Sequence, residues 1–221
     1  MASRLIVFTL GFDTRFQMKT LTRIRTSSND RVLIIRVDEP HKQVDEAERD
    51  LVKFVKEILG VEVCVLRVNV YDPHEAIPSI ASKLLELSTG KVVVDLSGGM
   101  RSLILQTLAA VLSVFPPSAV EIIVWTENLK EMITLSPRVF NIPRLDDLSF
   151  SILEALADGV PRSLKELVSI LDKPKTTVYH KLRGLVSEEL VEEIRKPGQV
   201  LYTITSLGKL ALSFSKTLSK L

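Results

Sequence analysis

The chain has 221 residues, 46% of them hydrophobic and 25% charged, with a net charge of +2 and one cysteine. That balance describes a globular protein with room for two domains and excludes an internal disulfide framework, and the charge is too mild to imply nucleic acid unless it is locally concentrated. The longest apolar stretch, "LILQTLAAVLSVF", is too short to span a bilayer, and no secretory signal pattern opens the chain, so a cytoplasmic protein without a membrane partner is expected.

The first two-thirds alternate two periodicities. "RLIVFTLG" is an apolar run ended by Gly11, followed by a helical stretch from about Thr14 to Thr26. "RVLIIRVD" reads as the second strand. "DEAERDLVKFVKEILG" places Leu51, Val52, Val55, Ile58 and Leu59 at helical spacing before a stop at Gly60. "VEVCVLRVNV" is a third strand, in which Cys64 reads as a buried thiol. "PHEAIPSIASKLLELS" is the third helix, with Pro73 in its first turn. "KVVVDLS", "RSLILQTLAAVLSVF" and "AVEIIVWTE" supply strand, helix and strand, and "EMITLS" adds a sixth strand by hairpin. Strands apolar on both faces and separated by helices predict a doubly wound, mostly parallel α/β sheet, Rossmann-like, over residues 1–135.

"SPRVFNIPRLDD" then breaks the rhythm with two prolines and no period, and residues 136–145 read as a linker. Residues 146–221 have a different order. "DDLSFSILEALADG", "RSLKELVSILDK" and "PKTTVYHKLRGLVSEEL" are three helices, with Ser163 placed to cap the second and Pro174 in the first turn of the third. "LVEEIRKPGQVLYTITS" is a hairpin about Pro197-Gly198, and "SLGKLALSFSKTLSKL" closes as an amphipathic packing or dimer helix. Three helices and a hairpin resemble the winged helix-turn-helix of many prokaryotic regulators, a small α+β domain. Its third helix has a polar set of Lys173, Lys175, Thr176, Thr177, Tyr179, His180, Lys181 and Arg183 and an apolar rear of Val178, Leu182 and Leu185. No acidic residue occurs between Lys173 and Ser187, as suits a helix facing phosphates. Arg195, Lys196 and Gln199 at the wing tip would reach the DNA backbone or minor groove. A winged helix used only for dimerisation or protein contact is the alternative.

"DLSGGMRS", residues 95–102, joins a strand to a helix through two glycines. It is neither a P-loop nor a G-x-G-x-x-G fingerprint, and its likeness to the ABC-ATPase signature lacks the P-loop that such a segment needs. Two adjacent glycines let backbone N–H groups approach a ligand, while the helix start and Arg101 favour an anion. A tight structural turn is the other reading. "TLGFD", after the first strand, should share the same sheet edge. These two loops, joined to a C-terminal winged helix, resemble the CRISPR-associated Rossmann fold (CARF) transcription regulators, most of all the archaeal ones, along essentially the whole chain. The resemblance implies a cytoplasmic homodimer that binds a cyclic oligoadenylate, cyclic tetra-adenylate first among them, as a regulatory ligand and not as a cofactor. It places Thr9, Leu10, Gly11 and Phe12 in the first ligand loop and Ser97, Gly98, Gly99, Met100 and Arg101 in the second. The implied function is antiviral regulation of CRISPR-associated genes through double-stranded promoter DNA.

Two other functions compete with that one. The first is cleavage of the cyclic ligand, for which Arg101 and Ser97 are the available groups but no well-placed general base is evident. The second is an α/β sensor that acts through a protein partner. His41, His74 and His180 do not form a metal or catalytic set with Cys64. Trp125 reads as core or dimer surface, with Thr126 and Glu127 as candidates to edge the pocket. Asp38 and Glu39 end the second strand, where an acidic side chain is placed to meet a ribose hydroxyl.

Overall fold

Five strands that are apolar on both faces pair in parallel in the computed structural model, which describes residues 3–88 and 90–218. The chain divides into two units, Met1–Pro137 and Arg138–Leu221. In the first, β1 (Arg4–Thr9), β2 (Arg31–Val37), β3 (Glu62–Val68), β4 (Lys91–Asp95) and β5 (Val120–Trp125) are joined by β6 (Met132–Leu135), which runs antiparallel to β5. The spatial order is β3-β2-β1-β4-β5-β6. Alternation along β1 divides its side chains between two cores. Leu5 and Val7 pack with Ile80 and Leu84 of α3 (Pro73–Leu87) and Leu103 and Ala110 of α4 (Arg101–Val114). Ile6 and Phe8 pack with Leu21 of α1 (Arg15–Arg23) and Ala47 and Leu51 of α2 (Lys42–Lys53). Both faces of the sheet are thereby covered, as near-continuous apolar strands require. The second helix starts earlier than its spacing suggests and passes into a π turn at Phe54–Ile58 before Gly60, at φ 64°, ends it.

The strand order reverses between β1 and β4. From β1 the chain winds outward through β2 and β3, then returns to place β4 on the other side of β1. The chain leaves β1 and β4 toward opposite faces of the sheet, and a crevice forms at the carboxyl edge there, where open α/β sheets bind ligands.

The second unit contains α5 (Asp147–Ala155), β7 (Arg162–Ser163), α6 (Leu164–Leu171), α7 (Lys175–Ser187), β8 (Val191–Lys196), β9 (Gln199–Ile204) and α8 (Ser206–Leu218). Its antiparallel sheet has the order β7-β9-β8. Ser163 and Glu166 form a reciprocal capping box on α6. The turn to α7 passes through Asp172 in the left-handed region at φ 49°, and Pro174 is the N-cap of α7 and not part of its first turn. Residues 219–221, the end of the expected last helix, lie outside the described residues.

The segment expected to be a linker is built into this unit from Arg138 onward. It opens with a 3₁₀ turn at Pro137–Phe140. Val139, Ile142 and Leu145 then pack against the core of Ile152, Leu182, Leu185 and Leu212. Prolines removed the helical period there, but the spaced apolar residues still had surface to bury.

Candidate functional site

The crevice at the strand-order reversal is a cleft of about 510 Å³. Leu10, Gly11, Phe12 and Asp13 line it from the loop after β1, and Ser97, Gly98, Gly99, Met100 and Arg101 from the loop after β4. The two loops touch through their glycines. A Cβ on Gly11 would stand 3.0 Å from the N and Cα of Gly99. One on Gly98 would collide with Gln17 Nε2 and come within 3.0 Å of the Thr9 carbonyl oxygen. Gly99 adopts φ 95°, where L side chains are strained. The pair is thus a consequence of two backbones meeting, and not only of a change in chain direction.

Thr9 is fully buried and lies beneath the loops, outside the cleft lining. Its hydroxyl donates to the Gly98 carbonyl at 2.5 Å, and Gln17 Nε2 donates to the Thr9 carbonyl at 2.8 Å. Asp95, at the end of β4, accepts from Ser97 N at 2.9 Å, from the Ser97 hydroxyl and from Thr20 Oγ1 at 2.5 Å. Burial pushes the Asp95 carboxyl above the usual carboxylate range, against the hydrogen bonds from Ser97 and Thr20. The Ser97 hydroxyl also accepts from Trp125 N at 2.8 Å, and the Trp125 indole donates to Thr20 Oγ1 at 2.7 Å. Ser97 therefore holds the loop's shape with a hydroxyl that is occupied twice. Trp125 is core, and Thr126 and Glu127 lie outside the cleft lining, in the β5–β6 hairpin where Thr126 Oγ1 donates to Asn128.

The side chains exposed to the cleft are few. Phe12 is 63% and Met100 44% exposed. The Arg101 guanidinium makes no ion pair among the described residues. It opens α4, which has no side-chain cap and no acidic residue in its first turn. That end therefore presents uncapped N–H groups and one cation to the cleft, with no carboxylate in the helix's first turn. Arg15 is engaged by Asp13, whose Oδ1 accepts from Arg15 N at 2.8 Å. Burial would raise the Asp13 carboxyl, but the Arg15 hydrogen bonds and charge outweigh it and hold it below its ordinary value.

Val37, Glu39, His41 and Val44, from β2 and the loop and helix after it, form the third wall. His41 is the N-cap of α2, and its ring centroid lies 4.7 Å from that of Phe12. Glu39 was legible from its place at a strand end. His41 was not, since nothing in its neighbourhood marks it apart from a helix start.

In the second unit, Val178, Leu182 and Leu185 turn α7 inward, while Lys173, Lys175, Thr176, Thr177, Tyr179, His180 and Arg183 are exposed. This helix, too, begins without a side-chain cap or an acidic residue. Lys196 and Gln199 flank the wing turn and are exposed. Lys181 pairs with Asp146 at 2.5 Å, which ties it to the start of α5 and turns it from the exposed set. Glu193 stands between Arg195, at 3.1 Å, and Arg183, at 3.6 Å, so both cations carry a fixed counter-charge. The Glu193–Arg195 pair is two apart on one strand and so shares a face, but the pairings of Arg183 and Lys181 join different elements, which sequence spacing does not show.

No helix among the described residues is long and apolar enough to cross a membrane, and none of their His, Cys, Asp and Glu side chains cluster to hold a metal. A family model for the Csa3 CRISPR-associated Rossmann-like domain matches residues 4–136, and one for a helix-turn-helix domain matches residues 145–194. Solved structures similar to the chain include Bordetella bronchiseptica BpsR, whose DNA binding is regulated by 6-hydroxynicotinic acid. It is 24% identical with a TM-score of 0.33, over 37% of this chain and 62% of that one. The transcriptional regulator BldR of Sulfolobus solfataricus is 26% identical with a TM-score of 0.32, over 34% and 56%. A mutant of Escherichia coli MarR, complexed with operator DNA, is 22% identical with a TM-score of 0.32, over 34% and 55%. The chain thus spans little more than half the length of these structures. No protein of curated function matches it.

Proposed function

The chain belongs to the Csa3 CRISPR-associated Rossmann-like family, as a transcription regulator with a helix-turn-helix, and on that footing we propose that a cyclic oligoadenylate binds its cleft and governs its hold on promoter DNA. Cyclic tetra-adenylate is the first candidate. The observation that carries this reading is the position of the paired glycine loops at the strand-order reversal, beside an uncapped helix start and the unpaired Arg101. Such a surface offers backbone donors and a cation to phosphates and a broad apolar floor to bases. A homodimer about the first unit, with the two "SGGMRS" loops near the two-fold axis, would present each loop twice to a ligand with its own two-fold symmetry. The exposed Leu105 and Leu112 on α4, 65% and 37% accessible, supply an apolar face for that pairing. On the second unit the exposed face of α7 enters the major groove, and Lys196 and Gln199 hold the backbone from the wing. Regulation is favoured over cleavage of the ring, because the Ser97 hydroxyl is taken by Asp95 and Trp125 N.

Calorimetric titration with cyclic adenylates of different sizes tests the reading. The expected stoichiometry is one ring per two chains. Arg101→Ala should lose on the order of 1.5–3 kcal/mol of binding free energy, the worth of a charge-assisted phosphate contact. Arg15→Ala should lose little, because that guanidinium is already engaged by Asp13. Equal affinities for the parent and both variants would remove Arg101 from the site.

A further inference from the structure

We infer that the loop after β2, residues 38–41, is a third ligand-reading segment, in which the Glu39 carboxylate accepts a hydrogen bond from the ribose 2′-hydroxyl of the bound nucleotide. This rests on the nucleotide reading of the cleft and adds to it the group that selects a ribonucleotide.

The loop is fixed from below by a buried cation. Arg36, with a side chain only 2% exposed, donates through Nε to the Val37 carbonyl at 2.9 Å and through Nη2 to the Glu39 carbonyl at 3.0 Å. Its Nη1 pairs with Asp45 at 2.5 Å and with Glu48 at 2.9 Å, both on α2. A guanidinium with all its arms engaged defines the backbone from which Glu39 projects. The carboxylate is oriented as well, since Tyr71 Oη donates to Glu39 Oε2 at 3.3 Å. Oε1 and the second lone pair of Oε2 remain for a ligand.

An ionised carboxylate only accepts hydrogen bonds, so the ligand group that faces it must be a donor, and a phosphate there would be repelled. At the other edge, the uncapped start of α4 and Arg101 offer donors and want an acceptor. The cleft is therefore polarised, with donors at the glycine loops and an acceptor at the end of β2. A nucleotide has the complementary polarity, with acceptor oxygens on its phosphates and a donor hydroxyl on its ribose. In doubly wound sheets the acidic residue beyond the second strand makes this bond to ribose. Asp13, the other carboxylate of the lining, is held by Arg15 and is not available in the same way. The exposed Phe12 ring beside His41 gives the attached base a flat surface to stack on.

The test compares cyclic tetra-adenylate with its fully 2′-deoxy counterpart by calorimetry on the full chain. The parent should prefer the ribose ring by about tenfold or more, as expected for a hydrogen bond to a charged group. Glu39→Ala should erase the preference and bind the deoxy ring at least as tightly as the parent does, because a carboxylate that repels phosphates has gone. Glu39 is exposed, so the variant should fold normally. Asp38→Ala, at an exposed residue outside the cleft lining, should keep the preference. Equal parental affinity for both rings overturns the inference alone. So does a Glu39→Ala variant that loses affinity for both rings by one factor, or a preference that disappears with Asp38 instead. A parent that binds neither ring while still binding DNA overturns the nucleotide reading and this inference with it.

Discussion

The cleft and the α7 face are built on opposite plans. Around the cleft, Gly11, Gly98 and Gly99 bring backbone to the surface, and the side chains of Thr9, Gln17, Asp95 and Ser97 turn inward to brace it. On α7 the backbone is closed in regular helix and the side chains stand out. The two share one device. Helices α3, α5 and α6 are capped by Asp72, Asp146 and Ser163 and carry an acidic residue in the first turn, whereas α4 and α7, like α1, have neither. An uncapped helix start without a nearby carboxylate favours an anion, and α4 and α7 place theirs at the surfaces that face the proposed ligands. A backbone-built site should fail at a single added methyl group. A side-chain-built site should weaken contact by contact.

The largest effect should come from Gly98→Ala. Its Cβ meets Gln17 and the Thr9 carbonyl, so the loops must separate, at a cost of about 1–3 kcal/mol of stability. Ring binding should disappear in calorimetry while DNA binding persists in a gel shift. An alanine variant with parental ligand affinity would break the distinction between the two plans. On the DNA side the loss should be graded. Lys196→Ala should weaken operator and random duplex alike and flatten the plot of log affinity against log salt by about one unit. Arg195→Ala should change the slope less, since Glu193 already neutralises that cation. Identical slopes for the parent and both variants would remove the wing from the interface.

The smallest effect concerns a helix that closes its own end. Asp146 caps α5 through Ser149 N, and its carboxyl is held down to about 2 by the hydrogen bond from Lys181 first and by that cap second. Asp146→Ala should cost about 1 kcal/mol at neutral pH. Because the folded carboxyl titrates below its unfolded value near 4, its contribution is complete above about pH 4 and is lost as pH falls through about 2. Denaturant melts of parent and variant should therefore converge across that window. A gap that survives at the acid end would mean that Asp146 does not act as an ionised cap.

Periodicity made the two units legible. The unbroken apolar runs in "RLIVFT" and "KVVVD" give strands buried on both faces, and the spacing of Val178, Leu182 and Leu185 gives α7 its inward side. Local chemistry within a few residues was legible as well, namely the Ser163 cap, the Pro197-Gly198 turn and the glycine loops at strand ends. Such features depend on neighbours in the chain, and the sequence states its neighbours directly. Only the tertiary structure decided what meets across long separations. It set Gly11 against Gly99, gave the Ser97 hydroxyl to Asp95 and Trp125, packed the 138–145 segment into the second core, and placed Glu193 between Arg183 and Arg195. It also brought Glu39 and His41 to the wall facing the glycine loops. These contacts follow from the crossover that returns β4 beside β1 and from hairpin register, and distances set by strand order leave no period in the sequence to read.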